Sequence, residues 1–424
     1  MGGSSLSLPA AIVAVAPGPR VGAPSCVCLP WEASSISSAK HASLLLFFSF
    51  PLLQEIPREG EEIASDLHRC LLQRHGLLKS GLVLLLGSLL GRLVYRRALR
   101  PPPPNICGTP GGPPVTATRV KLRDGRHLAY LESGVPRATA NHKIVFVHGI
   151  NSSRHDVLPV SQVTSFPEVL EELGVCLISY DRPGYGESDP DPSKTERSNA
   201  LDIQDLADQL DLGDRFYVIG FSVGGQLVWS CLKHIPHRLA GAALVAPIAN
   251  FWWRGFPADV SRKAYAAQLP QDKWAASVAH HAPWLTYWWN TQEWFPPSSL
   301  IARSRRIYSP PDLKLISELA GPRRPHRAQV KQQGVFETLH RDMMLAFGKW
   351  DYSPLELRNP APGKEGAVHL WHDADDLVVT PIMSRHIAQE LPWIRYHELP
   401  DAGHLLTLAD GVADIIVKSL LLGE

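Results

Sequence analysis

Apolar runs alternate with amphipathic segments along the chain from about Val115 onward. Six short segments predict strands, and the most apolar of them are typical of a parallel sheet that is buried on both faces: KIVFVHG, VCLISYD, RFYVIGF, GAALVAP, AVHLWH and RYHEL. Three segments between them predict helices: FPEVLEELG, ALDIQDLADQLDLG and VGGQLVWSCLKHI. This alternation predicts an α/β fold, a mostly parallel sheet with helices on both faces. VTATRVKL, the turn Asp124-Gly125 and RHLAYLESG predict a β-hairpin at its start.

The N-terminal part of the chain has a different pattern. Residues 1–76 begin with sequence rich in Ser, Pro, Ala and Leu, which indicates a low-complexity segment, either targeting or disordered. The apolar stretch over 77–97 reaches about the 20 residues that a bilayer span needs, and arginines cluster at its C-terminal end. We expect a single membrane-anchor helix there, with the following domain in the cytosol and the organelle left open. The alternative is an amphipathic or buried helix. Residues 98–114 predict a Pro/Gly-rich linker.

Residues 115–424 are expected to form one domain. The chain between Pro247 and Gly366 is longer than a connection between two strands requires. We therefore expect a cap insertion at about 251–345. Seven tryptophans crowd into this segment, and we expect most to pack the cap and some to line a lipophilic pocket: Trp252, Trp253, Trp274, Trp284, Trp288, Trp289 and Trp294.

Composition and net charge indicate which kinds of molecule the protein is expected to bind. The chain has 424 residues, 45% of them hydrophobic and 20% charged, as in globular proteins. Its formal net charge of +1 provides no long-range attraction to nucleic acid, so no nucleic-acid partner is expected. The six cysteines form no CxxC pair. The histidine pairs His280–His281 and His234–His237 lack acidic partners at metal-ligand spacing. We expect no metal and no cofactor.

A serine lies between two glycines where a predicted strand gives way to a predicted helix, in Gly220-Phe221-Ser222-Val223-Gly224. G-x-S-x-G in this context is the pattern of a nucleophile elbow, in which Gly220 and Gly224 allow the strand and helix to approach closely. The turn would expose the Ser222 hydroxyl for attack on a substrate. The alternative is a glycine-rich turn with a capping serine.

Such a serine needs a histidine base and a carboxylate that orients it, in the chain order Ser, acid, His. His404 follows the last predicted strand in a glycine-containing loop. The loop after the preceding strand offers Asp373, Asp375 and Asp376; Asp376 matches the expected position best, and Asp375 is the second choice. The backbone N–H groups of Ile150 and Val223 would form the oxyanion hole.

His148 precedes the predicted oxyanion turn, and Asp181 follows another strand. We interpret His148 as a structural residue, because the base of such a site normally comes last in the chain. Asp181 is interpreted as stabilising the turn that follows it.

Several longer segments carry a family resemblance: HGINSSRHD, DRPGYGESDPDP, GFSVGGQLVWSCLKHIPHRLAGAALVAP, PWLTYWWNTQEWFP and LHRDMM. They resemble the α/β-hydrolase superfamily over about Val115 to Leu422, and within it a plant subfamily of uncharacterised hydrolases with an N-terminal hydrophobic helix. The resemblance implies the α/β-hydrolase fold and a serine-hydrolase triad. The family usually has glycine where this chain has Asp373 and proline where it has Thr380.

These features together predict a serine hydrolase, esterase- or lipase-like, that cleaves an ester or related acyl bond of a lipophilic small molecule. Two alternatives stay open. One is a ligand-binding receptor or scaffold of the same fold with negligible turnover. The other is a lyase or C–C hydrolase that uses the same three residues, since these chemistries differ in the shape of the pocket.

Overall fold

The structure is a computed structural model that describes residues 58–156, 166–319, 325–360 and 367–423. The described chain divides into two units, one that ends at Leu82 and one that begins at Val83. Most of the predicted low-complexity segment over 1–76 lies outside the described residues, and the predicted cap contains one undescribed stretch, 320–324.

The first described element is a long helix. Helix α1 spans Arg58–Val94, and a π-helical turn over Tyr95–Leu99 follows it. It begins well before the predicted anchor over 77–97, in sequence rich in charged residues, and Lys79 and Arg92 interrupt its apolar part. None of the helices in the described residues combines the length and apolarity needed to cross a membrane. The predicted membrane anchor is therefore not supported.

The predicted linker over 98–114 contacts the folded unit. Cys107 is buried, and its N–H donates a hydrogen bond to the Gln333 side chain (3.2 Å). The Asn105 N–H donates to the Gln333 carbonyl (3.0 Å). This part of the linker is thus held against the segment around Gln333.

One eight-stranded sheet organises the larger unit, in the order β1-β2-β4-β3-β5-β6-β7-β8. The antiparallel pairs β1–β2 and β2–β4 lie at one end, and all other neighbours are parallel. The predicted hairpin and the mostly parallel sheet are confirmed. The strands are β1 Arg119–Lys121, β2 His127–Gly134, β3 His142–Val147, β4 Val175–Tyr180, β5 Phe216–Phe221, β6 Leu239–Val245, β7 Val368–Asp373 and β8 Ile394–Leu399.

Helices cover both faces of the sheet. The connections between strands contain α2 Phe166–Glu172, α3 Glu196–Gln209, α4 Val223–His234 and α11 Ile382–Glu390. Helix α12 Val412–Leu422 follows the last strand. The segment between β6 and β7 contains α5 Ala258–Ala266, α6 Pro270–His281, α7 Thr286–Thr291, α8 Ser299–Ala302, α9 Pro310–Leu319 and α10 Arg341–Phe347.

Successive side chains of the central strands pack alternately into two separate hydrophobic cores. In β3, Val145 belongs to the cluster that includes α3 and α4, whereas its neighbour Phe146 belongs to the cluster that includes α2 and α12. Successive side chains of a strand point to opposite faces, so a strand covered by helices on both sides must be apolar at every position. This explains the unbroken apolar runs of the sequence.

Candidate active site

Ser222 sits at the turn from β5 into α4 with an unusual backbone conformation. Its φ of 57° and ψ of −116° lie in a region that residues with a side chain rarely adopt. The surrounding structure holds this conformation, since the Ser222 N–H donates to the Val245 carbonyl of β6 (2.8 Å). Backbone strain of this kind is typical of functional sites.

The two flanking glycines have no room for a side chain. A Cβ on Gly220 would lie 2.3 Å from the Gly224 carbonyl oxygen, and one on Gly224 would lie 2.0 Å from the Val147 carbonyl oxygen. Both distances are well below the ordinary van der Waals contact distance of a Cβ atom. The close approach of β3, β5 and α4 therefore depends on glycine at both positions.

A chain of hydrogen bonds joins Ser222 to His404 and Asp376. The His404 Nε2 lies 3.1 Å from the Ser222 Oγ, and the His404 Nδ1 lies 2.8 Å from the Asp376 Oδ2. The three side chains come from the loops after β5, β8 and β7, and all three are buried. The carboxyl ends of parallel strands meet at one edge of the sheet, which is why residues distant in sequence converge here.

Charge and burial set the protonation states of this pair. Burial by itself would raise the pKa of Asp376, but the His404 charge and hydrogen bonds from His372 and His404 bring that pKa well below its usual range. Burial would lower the pKa of His404, but the charge and hydrogen bond of Asp376, with the charge of Asp312, raise it above its ordinary value. An ionised Asp376 beside a basic imidazole is the arrangement that favours proton uptake by His404.

The three aspartates of the β7–α11 loop have different surroundings. Asp375 is exposed, and its N–H donates to the Asp373 Oδ1 (2.8 Å). The Asp373 Oδ2 accepts from the Ala402 N–H (2.7 Å), which joins this loop to the one that carries His404. The structure thus brings Asp376, and not Asp375, to His404, while Asp373 connects the two loops.

Ile150 and Val223 flank the serine. Gly149 lies so close to it that an added Cβ would be 3.1 Å from the Ser222 Cβ. In the described part of the chain, the N–H groups of Ile150 and Val223 donate to no other residue. Both N–H groups are therefore free to donate to another group.

A buried ionic network supports the turn before Ile150. The Arg182 guanidinium donates to the carbonyls of His148 (2.9 Å) and Gly149 (3.1 Å) and pairs with Asp342 of α10 (Nη1 to Oδ1, 2.9 Å). Lys194 and the Tyr185 hydroxyl also bond to Asp342 (2.8 and 2.6 Å). No pattern in the sequence indicates this network, because Arg182 stands out only as part of the DRPG turn and nothing links it to a residue 160 positions later.

His148 and Asp181 both accept hydrogen bonds from backbone N–H groups, as the structural residues expected from the sequence would. The Nε2 of His148 accepts the Arg182 N–H (3.0 Å), and burial lowers the pKa of His148 well below its usual value. Asp181 accepts from the N–H groups of Arg154 (2.8 Å) and Glu187 (3.0 Å).

A cavity lies beside the site, between the sheet edge and the helices that precede β7. The space inside it that a water-sized sphere can fill is about 50 Å³. Its wall is mainly apolar, with Ile248, Phe251, Leu300, Ile307, Phe347 and Val378 among its residues. Ile248 is also adjacent to the serine, since its N–H donates to the Ser222 carbonyl (3.2 Å).

The tryptophans lie elsewhere. None lines this cavity within the described residues, so the expectation that some would line a lipophilic pocket is not met there. Trp253 is buried, whereas Trp274, Trp284 and Trp294 are exposed. Trp289 stacks on Phe295 with ring centroids 5.5 Å apart, which is packing within the segment itself.

The model of the alpha/beta hydrolase family matches residues 144–415, which include every residue of the site described above. The chain belongs to the alpha/beta hydrolase family. Its mostly parallel eight-stranded sheet, with helices on both faces, is that of an alpha/beta hydrolase. No group of three or more metal-ligating side chains occurs in the part of this hydrolase that the structure describes.

Solved structures of other hydrolases are similar to this one. A hydrolase from Pseudomonas aeruginosa PA01 is 20% identical, with 72% of this chain and 97% of that chain covered and a TM-score of 0.46. A thermophilic esterase from Thermogutta terrifontis is 18% identical (72% and 99% covered, TM-score 0.44). The enol-lactonase from Burkholderia xenovorans LB400 is also 18% identical (72% and 100% covered, TM-score 0.46). A comparison with curated proteins found no match.

Proposed function

We propose that this alpha/beta hydrolase is a serine hydrolase that cleaves an ester or related acyl bond of a lipophilic small molecule. The observation that carries the proposal is the continuous hydrogen-bonded chain from Ser222 through His404 to Asp376 at a strained turn. A turn that served packing alone would need neither a histidine at hydrogen-bond distance from the hydroxyl nor an ionised carboxylate behind that histidine.

The reaction proceeds in two steps. His404 takes the Ser222 proton as the serine oxygen attacks the acyl carbon, and the N–H groups of Ile150 and Val223 bind the oxyanion. The His404 imidazolium, balanced by Asp376, then protonates the leaving group, and an acyl-serine remains. In the second step His404 deprotonates a water molecule, whose oxygen attacks the acyl carbon. The bond to the Ser222 oxygen breaks, the acid leaves, and the imidazolium returns its proton to that oxygen.

The cavity supports the lipophilic substrate class. Its wall is mainly apolar, so burying an alkyl or ring substituent there removes apolar surface from water. Its few polar groups include the Gln268 amide and Asp272, and the latter already accepts hydrogen bonds from Ser298 and Ser299. We propose that the helical segment over about 251–345 acts as a cap and that the cavity under it receives one side of the substrate.

Labelling with a fluorophosphonate probe tests this function without knowledge of the substrate. We expect the full-length wild type to be labelled and Ser222→Ala to be unlabelled. Ser317→Ala is the matched control, because Ser317 is exposed on α9, and we expect it to be labelled like the wild type. Esters of increasing acyl length would then define the substrate range.

Unlabelled but folded wild-type protein would contradict the proposal. That result would favour the alternative of a ligand-binding receptor with the same fold. Labelling that persists in Ser222→Ala would also contradict it, because the reactive serine would then lie elsewhere.

A further inference from the structure

A second buried carboxylate, Asp312, contacts the loop of the candidate base. Asp312 is the third residue of α9, in the segment between β6 and β7, and it is fully buried. Its side chain accepts four hydrogen bonds, two from its own helix start and two from a loop 92 or more residues away. A buried carboxylate with two separate sets of donors joins the elements that supply them.

The first set of donors belongs to Ser309, the residue before α9. The Ser309 N–H (3.1 Å) and Oγ (2.9 Å) both donate to the Asp312 Oδ2. An acidic residue at the third helical position that accepts from the residue before the helix resembles a capping box. Helix capping alone would account for these two bonds.

The second set comes from the catalytic loop. The N–H groups of His404 (3.1 Å) and Leu405 (2.7 Å) donate to Asp312, one to each carboxylate oxygen. Gly403 has a φ of 71°, and a Cβ on it would lie 2.5 Å from the Ser309 Oγ and 2.6 Å from the Asp312 Cγ. The backbone at His404 is therefore pressed against the start of α9, and capping does not explain this contact.

Four groups surround the His404 imidazole. Asp376 and Ser222 hydrogen-bond to the two nitrogens of the ring. The centroid of the Phe221 ring lies 5.2 Å from that of the imidazole, and Asp312 accepts a hydrogen bond from the His404 backbone N–H. Burial lowers the pKa of His404, while the charges of Asp376 and Asp312 raise it, with a net rise. Asp312 thus influences the base both by position and by charge.

We propose that Asp312 is a positioning residue of the active site: it holds the backbone of His404 so that the imidazole reaches Ser222 and Asp376 at once. This role rests on the proposed serine-hydrolase function. Because α9 belongs to the segment between β6 and β7, the base is in place only while that segment is docked on the loop after β8.

The test compares the rate of fluorophosphonate labelling against pH in full-length wild type, Asp312→Asn, Ser309→Ala and Asp191→Asn. Ser309→Ala removes one capping partner and leaves both bonds from the His404 loop. Asp191→Asn is the matched control, because Asp191 is also buried near a helix start, and within the described residues its carboxylate accepts hydrogen bonds only from Ser193 and Ser198. Unfolding by urea measures the stability of each variant.

We expect Asp312→Asn to lower the plateau rate of labelling by about tenfold or more, since small displacements of a catalytic group have effects of this size. His404 must be neutral to accept the serine proton, so the rate rises with pH through its pKa. Removing the Asp312 charge lowers that pKa, and the midpoint of the rise should move to lower pH. Ser309→Ala and Asp191→Asn should lose stability but keep the wild-type plateau and midpoint.

An unchanged plateau and midpoint in folded Asp312→Asn would overturn the proposal and leave Asp312 as a helix cap. If Asp312→Asn does not fold, Asp312→Glu decides, because it keeps the charge but displaces the carboxylate by one methylene from its donors. A wild-type plateau in Asp312→Glu overturns the proposal, and a lower plateau supports it. Wild-type protein without Ser222-dependent labelling would overturn the hydrolase function itself, and the role of Asp312 with it.

Discussion

The two carboxylate oxygens of Asp376 have different partners. Oδ2 faces the His404 Nδ1 (2.8 Å) and the His372 Nε2 (3.3 Å). Oδ1 accepts the N–H groups of Val378 (2.8 Å) and Val379 (2.9 Å). Hydrogen bonds to both oxygens favour the ionised form, and they fix the plane in which the carboxylate meets the imidazole. At the scale of the residue, the site depends on this fixed and charged acceptor.

Replacing this acceptor should abolish most of the activity. We expect Asp376→Asn to slow labelling at Ser222 by at least about 1,000-fold, because the amide no longer holds the His404 tautomer that accepts the serine proton. Asp375→Asn changes an exposed carboxylate of the same loop and should label at the wild-type rate. Time courses of labelling at pH 8 check both. The reverse order of the two effects would assign the acid to Asp375.

At the scale of the element, the site depends on the close approach of β3, β5 and α4. The Val147 carbonyl at the end of β3 occupies the space that a side chain on Gly224 would need. The loop after β3 supplies Ile150, and α4 begins with Val223. A shift between these elements would therefore separate the serine from its two nearby N–H donors.

Gly224→Ala should disrupt the elbow. The added Cβ would lie 2.0 Å from backbone rather than from a flexible side chain, so strand and helix must move apart. We expect the free energy of unfolding to fall by about 3 kcal/mol or more and Ser222 labelling to be lost. In the control Gly91→Ala, in α1, the new Cβ meets nothing within 4 Å, and both properties should stay unchanged. Urea unfolding and labelling measure them; a fully stable, labelled Gly224→Ala would contradict the expectation.

At the scale of the whole folded unit, Asp342 joins the end of the α5–α10 segment to the sheet. It lies in α10 and neutralises Arg182 and Lys194, which come from the connection after β4. Burial would raise the pKa of Asp342, but these two cations bring it well below its usual range. Arg182 in turn holds the carbonyls of the turn before Ile150, so the network connects this segment to the site.

We expect Asp342→Asn to lower the free energy of unfolding at pH 7 by about 3–5 kcal/mol, because two buried cations lose their counter-charge. The folded-state pKa of this carboxyl is depressed, so its contribution is complete above its ordinary pKa and is lost as the pH falls. The difference from wild type should therefore shrink below about pH 4. Urea unfolding between pH 3 and 7 measures this. Asp259→Asn, at an exposed ion pair with Lys263, should be indistinguishable from wild type; an equal loss in both variants would contradict the prediction.

The elements of the domain could be predicted because their signals are local. Periodicity predicted the central strands and the helices α2, α3 and α4, and the steric demand of G-x-S-x-G predicted the turn at Ser222. The same local view failed for α1, where apolar composition suggested a membrane span that the helix does not support. For the tryptophans, enrichment in the segment did not determine which side chains face which cavity: within the described residues none lines the cavity beside the site, whereas Trp284 lines a second one.

The sequence by itself determined the order of strands and helices, the position of the elbow and the loops in which a histidine and an acid should lie. Only the tertiary structure decided which aspartate of the β7–α11 loop meets His404, and that Asp312 and Asp342 from the long β6–β7 segment bond to the site. The physical reason is that strand and helix periodicity depends on neighbours a few residues apart. Hydrogen bonds and ion pairs instead depend on distances of about 3 Å between groups that only packing brings together.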